Sequence, residues 1–353
     1  MKKDFYDVND AGKTFLWAVL TPQILGTLIY MIFLWISTST GETIDEILNN
    51  SINVYLLLML TQISFALVFF IYNRKIDFIK ACKFNKLSNE NIFICIFIAI
   101  IALFGLTPIS NISVELLQQA GLEFSTALPI GLESISDLII AILLVAFVPA
   151  ILEELIFRGM ILQGLRKFGN WPAILISAGL FALIHASAVQ LVYTFLFGVI
   201  LALIVIKTGS IFASMICHFI ANGLSLTLGY ISASDDAVNL ATTTPDFILA
   251  ILIAFLTFML IFSFVKKMKN NDKQQINYSL ILKELKAKGI TNISESDLIN
   301  LKNSSFKQKN EEIISKFKDF KSEHKPNNST IALKLGIAIG IAVWILNFST
   351  YFI

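Results

Sequence analysis

Three charged side chains, Glu153, Glu154 and Arg158, lie inside a long apolar stretch of the sequence. A charged group at membrane depth costs roughly 2.5–3.5 kcal/mol even on the mildest scale, so it persists where it faces a protein interior or a water-filled cavity. Glu154 and Arg158 are four residues apart, which places them on one helix face with the acid before the base. Glu153 is rotated from Glu154 by about 100°, and Pro149, four residues before Glu153, is expected to kink the helix. The spacing therefore predicts a Glu154–Arg158 ion pair and leaves Glu153 available as a general base.

Two of the three histidines in the chain also lie in apolar stretches, each with a second residue four positions away. His185 follows Phe181, and His218 precedes Asn222. At 1.5 Å per helical residue, Glu153, His185 and His218 lie about 20, 21 and 15 Å from the same predicted membrane interface. Because a hydrocarbon core is about 30 Å thick, the three groups can meet at one level. The sequence therefore predicts one intramembrane active site built from three polar clusters.

Composition places these clusters in an all-α polytopic membrane protein. The 353 residues are 56% hydrophobic and 15% charged, with a mean hydropathy of +0.75, whereas soluble domains carry about a quarter charged residues. The net charge of +2 does not indicate nucleic-acid binding, because the charges lie in loops and in one polar segment. A span needs about 20 apolar residues, which predicts about eight to nine transmembrane helices. The candidate spans are residues 14–36, 54–72, 91–108, 138–165, 171–186, 190–206, 211–230, 247–265 and 331–348.

The loops between these spans alternate in charge, which predicts the orientation of the chain. Loops after the first, third and seventh spans carry acidic residues and no Lys or Arg, whereas loops after the second, fourth, sixth and eighth carry Lys or Arg. Basic loops concentrate on the cytoplasmic side. We therefore expect an integral membrane protein with its N-terminus in the cytoplasm and its C-terminus outside. Abundant Ile, Lys, Asn and Phe suggest a bacterial cell membrane.

The same pattern divides the chain into five segments. They are N-terminal transmembrane helices at 1–136, a catalytic core at 137–230, an eighth transmembrane helix at 231–265, a lysine-rich cytoplasmic segment at 266–330 and a C-terminal transmembrane helix at 331–353. In the lysine-rich segment, two stretches show apolar residues at helical spacing with charges between them, which predicts a small cytoplasmic helical module. We interpret it as a solvated or membrane-surface linker. Docking of an anionic partner or of lipid head groups is the alternative.

Three motifs resemble, in order, those of the CPBP family, which contains the type II CAAX prenyl proteases and the bacterial Abi and bacteriocin-immunity membrane proteins. They are E-E-x-x-x-R at 153–158, F-x-x-x-H at 181–185 and H-x-x-x-N at 218–222. The resemblance covers residues 137–230, so the first three spans, the lysine-rich segment and the last span lie outside it. It implies a metallo- or glutamate-type endopeptidase that hydrolyses peptide bonds within the membrane, in a cavity open towards the cytoplasm.

The resemblance also implies a role for each motif residue. Glu153 would activate a water molecule with the help of His185. His218 and Asn222 would stabilise the oxyanion of the tetrahedral intermediate, where a well-placed donor contributes about 3–4 kcal/mol. The predicted ion pair would hold the helix and tune the base. The expected substrate is a peptide or membrane-anchored protein, with or without a lipid modification, and membrane lipid is an expected partner.

Two mechanisms fit these residues. Glu153, His185 and His218 could together bind a divalent metal such as zinc, since three protein ligands and a water are usual at catalytic zinc. A glutamate–histidine mechanism without metal accounts for the same residues. Neither an H-E-x-x-H motif nor a serine in a glycine-rich elbow occurs, which argues against other protease classes.

Three other functions use similar features. A transporter also places Glu, Arg and His at mid-membrane, but transporters often carry internal repeats, and no second Glu-Glu or histidine motif occurs in a matching half. A non-catalytic bacteriocin-immunity or scaffold protein could keep all three motifs and act by binding a partner. A regulator could use the lysine-rich segment as its binding module. Because all motif positions are intact, the sequence does not separate this binding protein from a protease. The protease is the predicted function, and the binding protein is its main alternative.

Overall fold

The computed structural model of the chain describes residues 5–122, 132, 134–234, 247–269 and 330–349, and this part is helical without β-strands. Seven of the described helices are long and apolar enough to cross a membrane, and two shorter apolar helices accompany them. The prediction of an all-α polytopic membrane protein is confirmed. Most of the lysine-rich segment at 266–330, with both of its predicted helical stretches, lies outside the described residues.

We number the helices in chain order. They are α1 (Val8–Thr40), α2 (Ile44–Asn49), α3 (Ser51–Tyr72), α4 (Phe78–Ala81), α5 (Asn89–Gln119), α6 (Ile135–Phe168), α7 (Asn170–Ile184), α8 (Leu191–Thr208), α9 (Ile211–Ser234), α10 (Phe247–Lys267) and α11 (Ile331–Ser349). Helix α1 packs against α3 and α11, α5 packs against α8, α9 and α10, and α7 packs against α8. Helices α6 and α9 also pack against each other. The predicted polar clusters lie on α6, α7 and α9, so this packing brings their helices together.

The side chains that face outwards are those expected of a protein surrounded by lipid. Large apolar residues of α1, α3 and α10 are exposed, among them Trp35, Phe70 and Leu256, at 70%, 67% and 63%. A soluble monomer rarely exposes apolar patches of this extent. By contrast, Phe157 and Phe181, which lie within the first and second motifs, are almost completely buried. The chain is an integral membrane protein whose polar motifs face its interior.

Helix α5 extends further than the sequence predicted. The candidate span ended at Pro108, but the helix continues through this proline to Gln119. Pro108 removes the backbone donor to the carbonyl of Phe104, four residues earlier, and membrane helices tolerate such an internal proline. The additional turns carry Asn111 to the wall of the central cavity.

Helix α6 contains two wide π-helical turns, at Ile142–Phe147 and Leu155–Ile161, on either side of an α-helical segment at Val148–Glu154. The sequence predicted a kink at Pro149. The helix continues through Pro149, and Val145, whose carbonyl a proline ring would otherwise crowd, lies in the first wide turn. Single π-turns inside α-helices are frequent at functional sites. Here they flank the two adjacent glutamates.

A buried polar contact holds the second wide turn. The Tyr6 hydroxyl donates to the side-chain carbonyl of Asn73 and lies 3.3 Å from the Cys82 sulfur. A Cβ at Gly159 would lie 2.9 Å from the same sulfur, so only glycine allows this approach. Burial raises the pKa of the Cys82 thiol to about 12, and the thiol is therefore neutral at physiological pH. Gly159, the residue after Arg158, thus lets α6 pack closely against the loop that precedes α5.

Candidate active site

The predicted ion pair forms in the interior of the protein. Arg158 Nη1 donates to Glu154 Oε1 at 2.7 Å, and both side chains are fully buried. Arg158 Nη2 also donates to the carbonyl of Gly198 on α8 at 3.3 Å, and the guanidinium carbon lies 4.2 Å from the centre of the Phe181 ring. Removing two charges from water is costly unless hydrogen bonds and good geometry repay the loss. The pair therefore depends on partners from three helices, α6, α7 and α8.

Glu154 has a second partner that the sequence did not predict. His218 Nδ1 lies 3.0 Å from Glu154 Oε1, the oxygen that Arg158 also contacts. A carboxylate oxygen only accepts, so the proton of this bond is on Nδ1. His218 is 3% exposed, and its ring contacts the ring of Phe197 edge-on at 5.8 Å. Glu154 consequently orients His218 and joins α6 to α9.

Phe181, in the F-x-x-x-H motif, is the aromatic centre of the site. Its ring contacts the rings of Phe157, His185 and His218 edge-on, with centroid distances of 5.1, 4.7 and 5.9 Å. Its face receives the Arg158 guanidinium, and cation–π contacts of this kind gain strength where water is excluded. A residue that the sequence placed merely on the same face as His185 therefore contacts all three polar clusters.

The end of helix α7 determines which nitrogen of His185 is available. The helix ends at Ile184, and His185 Nδ1 lies 2.7 Å from the carbonyl of Phe181. A carbonyl oxygen can only accept, so Nδ1 carries the proton. In the neutral ring Nε2 is then unprotonated and can accept a proton. This is the tautomer that a histidine needs to assist a general base.

Asn222 is positioned through Pro149. Proline has no N–H, so the carbonyl of Val145, four residues earlier, lacks its α-helical donor. Asn222 Nδ2 donates to this carbonyl at 3.3 Å. The amide nitrogen carries two hydrogens, and the second remains available as a donor. The proline that the sequence suggested as a kink thus provides the acceptor that holds Asn222 against α6.

Four of the six predicted residues line one cavity of about 630 Å³: Glu153, His185, His218 and Asn222. The other two, the buried ion pair, lie behind its wall. The volume is within the range of ligand sites, about 300–1,000 Å³. The cavity walls also contain polar residues that the sequence did not single out, namely Thr61, Gln62, Thr107, Ser110, Asn111, Gln190, Tyr193, Thr194 and Ser225. Uncharged polar residues at helical spacing inside apolar runs are a weak signal, and few of them could be selected without the fold.

Gly198 is a second kind of residue that sequence analysis missed. A Cβ at this position would lie 3.2 Å from Ala178 and 3.3 Å from the Phe181 ring. The absence of a side chain lets α8 approach α7 and brings the Gly198 carbonyl to Arg158. A lone glycine in an apolar helix carries no signal of this role.

The residues that line the cavity lie away from the basic loops. On α7 they are at the end opposite Arg166 and Lys167, and on α8 at the end opposite Lys207. The cavity is thus nearer to the face that carries the acidic loops. With the orientation expected from loop charge, this face is outside, whereas the resemblance implies a cytoplasmic mouth. The two expectations point to opposite sides of the membrane.

The predicted zinc ligands are Glu153, His185 and His218, and their arrangement bears on whether they can share one metal ion. Among the residues that the structure describes, no group of three or more His, Cys, Asp and Glu side chains could hold a metal ion. His218 directs Nδ1 to Glu154, and His185 directs Nδ1 to a backbone carbonyl. The predicted set of Glu153, His185 and His218 does not form a ready three-ligand site in this arrangement. Zinc binding stays a prediction.

Comparison with known proteins agrees with the motif analysis. Residues 135–224 match the family model for "Type II CAAX prenyl endopeptidase Rce1-like", which confirms the resemblance inferred from the three motifs. The matched segment contains all three motifs and covers less than half of the chain. No curated protein and no solved structure matches the chain. Helices α3 and α5, which complete the cavity wall, lie outside the matched segment.

Proposed function

We propose that this chain, whose residues 135–224 match a family of type II CAAX prenyl endopeptidases, is an intramembrane endopeptidase. It hydrolyses a peptide bond with a water molecule activated by glutamate and histidine. The observation that supports this most directly is the cavity that Glu153, His185, His218 and Asn222 line together. It brings an acid–base pair and two candidate oxyanion donors together, and preorganised donors stabilise the charge that develops in the transition state.

The first step is activation of water. Glu153 forms no ion pair with the described residues and faces the cavity, so its carboxylate can accept a proton from a bound water. His185 Nε2, left unprotonated by the bond at Nδ1, accepts a second hydrogen bond from the same water. The oxygen attacks the peptide carbonyl carbon, and the electron pair of the C=O bond moves to the carbonyl oxygen. The proton resides on Glu153.

The second step is stabilisation of the oxyanion. Asn222 Nδ2 retains one hydrogen that can point at the developing charge. His218 already donates through Nδ1 to Glu154, so donation through Nε2 requires a second proton on its ring. The Glu154 carboxylate, 3.0 Å from Nδ1, holds the ring in one orientation. Glu154 thereby supports both Arg158 and the proposed oxyanion donor.

The third step is collapse of the tetrahedral intermediate. The C–N bond breaks, and the leaving nitrogen takes the proton held by Glu153. The products are a carboxylic acid, which keeps the second proton of the water, and an amine, and Glu153 returns to its ionised form. The new acid then loses its proton to the amine or to solvent. Glu153 thus acts first as base and then as acid.

The proposed substrate is a peptide or a membrane-anchored protein, with or without a lipid modification. A cavity of about 630 Å³ holds a short extended segment and excludes a folded domain. Polar side chains on α3 and α5, including Gln62, Ser110 and Asn111, can pair with the backbone of such a segment. Cleavage is therefore expected near the end of a flexible chain.

The test of this function is peptide hydrolysis in proteoliposomes. Peptides with and without a C-terminal lipid, and a membrane-anchored precursor, are incubated with the wild-type protein and with His185→Ala. We expect mass spectrometry to detect a cleaved product with the wild type and at least a hundredfold less with His185→Ala, since an acid–base group contributes about 10²–10⁴-fold. Equal cleavage by both proteins would contradict the mechanism. Tight substrate capture without any product would support the binding protein instead.

The side on which the cavity opens can be tested by labelling. Ser225 lines the cavity and is exposed, and the three native cysteines are buried. We expect a membrane-impermeant maleimide to label Ser225→Cys from the same side as Glu42→Cys, and from the side opposite to Lys167→Cys. From loop charge, that side is outside. Labelling together with Lys167→Cys would instead support the cytoplasmic mouth implied by the resemblance.

A further inference from the structure

A second cavity, of about 370 Å³, lies between the first turn of α7 and the last turns of α8 and α10. It shares no residue with the central cavity. Trp171 of α7, Lys207 of α8 and Lys266 of α10 surround it, and it is located at the face that carries the basic loops. Three helices from separate parts of the chain thus build one interfacial site that the proposed reaction does not use.

The lining of this cavity carries two positive charges. Lys207 and Lys266 form no ion pair with any carboxylate in the part of the chain that the structure describes. The ammonium group of Lys266 lies 4.7 Å from the centre of the Phe262 ring. No side chain caps the N-terminus of α7, which begins at Asn170. Two lysines therefore supply charge for an anion, and uncapped backbone N–H groups add to it.

The rest of the cavity lining is apolar. It contains Ile174, which is 2% exposed, together with Leu203 and Ile206. It also contains Trp171 and Phe262, which are 56% and 43% exposed. Tryptophan is enriched at the level of lipid head groups because its ring is amphipathic. The two lysines and the apolar lining together match a molecule with an anionic head and a hydrocarbon tail.

We propose that this cavity binds an anionic phospholipid such as phosphatidylglycerol. The phosphate lies between Lys207 and Lys266, and an acyl chain packs against Ile174, Leu203 and Ile206. Basic cavities between transmembrane helices at the cytoplasmic side recognise anionic head groups in this way. A zwitterionic lipid brings an ammonium group to the same lysines and is disfavoured. The inference does not rest on the proposed protease activity.

The experiment uses Trp171 as the reporter. Trp17, Trp35 and Trp344 are replaced with Phe in the full chain, and the protein is placed in vesicles of phosphatidylglycerol and phosphatidylcholine. Two sets of vesicles have identical head-group composition and differ in which lipid carries a bromine-labelled acyl chain, a contact quencher of tryptophan fluorescence. We expect stronger quenching when phosphatidylglycerol carries the bromine. The quenching ratio measures the preference for the anionic lipid.

The matched variants separate the cavity from general surface charge. We expect Lys207→Gln/Lys266→Gln to abolish the preference, since each basic residue near a membrane surface contributes roughly fivefold in affinity. Lys13→Gln/Lys167→Gln removes two charges elsewhere and should retain it. Unfolding temperatures confirm that all variants are folded.

Several outcomes would overturn the proposal. They are equal quenching by both lipids in the parent protein, an unchanged preference in Lys207→Gln/Lys266→Gln, and an equal loss in the control variant. Removal of the preference by added inorganic phosphate would assign the site to a soluble anion instead of a lipid.

Discussion

Glu153→Gln is expected to abolish peptide hydrolysis while leaving the stability of the protein unchanged. Glutamine keeps the size and polarity of the side chain but cannot take a proton from water, and a general base contributes about 10²–10⁴-fold to the rate. Glu153 forms no ion pair with the described residues and is partly exposed to the cavity, so the free energy of unfolding should change by less than about 0.5 kcal/mol. Initial rates in proteoliposomes and unfolding in detergent measure the two effects.

The same variant distinguishes a protease from a binding protein. If the chain acts by hydrolysis, Glu153→Gln should still capture substrate, and the captured peptide should remain intact. If it acts by binding alone, Glu153→Gln should retain the full cellular activity of the wild type. A Glu153→Gln protein that still cleaves peptide at the wild-type rate would remove Glu153 from the mechanism and leave His185 as the next candidate base.

Arg158→Met is expected to have the largest effect on stability, a loss of about 3–5 kcal/mol in the free energy of unfolding. Methionine keeps an unbranched apolar stem but leaves the Glu154 carboxylate buried without its counter-charge. The substitution also removes the hydrogen bond to the Gly198 carbonyl and the contact with the Phe181 face. Chemical unfolding in detergent measures the loss.

Two controls identify the buried charge as the cause. Arg166→Met changes an exposed arginine of the same helix that only approaches Gln163, at 3.4 Å, and should cost less than about 0.5 kcal/mol. Glu154→Gln/Arg158→Met removes both charges, and we expect it to be more stable than Arg158→Met alone by about 0.5–3 kcal/mol. If Arg158→Met and Arg166→Met were equally stable, the ion pair would not hold the site together.

Activity should separate from stability in the double variant. Glu154 orients His218 through Nδ1, whereas a glutamine can turn its NH2 group to that ring and so does not fix the proton on Nδ1. We therefore expect a folded Glu154→Gln/Arg158→Met protein to remain impaired in hydrolysis. The ion pair thus has two roles, one in holding α6 against its neighbours and one in supporting the proposed oxyanion donor.

Much of the architecture followed from local pattern alone. Apolar runs predicted the membrane helices because a span needs about 20 apolar residues and carries a penalty for each charge. The spacing of Glu154 and Arg158 predicted their contact because helical residues four apart are neighbours on one face. Such short-range rules failed at Pro108, where the membrane helix continues although proline removes one backbone donor.

The sequence by itself determined which residues carry charge at membrane depth, and the cost of those charges was enough to single out all three motifs. Only the tertiary structure decided how the motif residues divide. In the structure Glu153 lines the cavity and Glu154 lies behind its wall. His218 is hydrogen-bonded to Glu154, and Asn222 is held by the carbonyl of Val145, which Pro149 leaves without its helical donor. These are contacts between helices, made by groups up to 77 residues apart. Helical periodicity determines which residues of one helix share a face, whereas the packing of the helices determines which residues of other helices that face contacts.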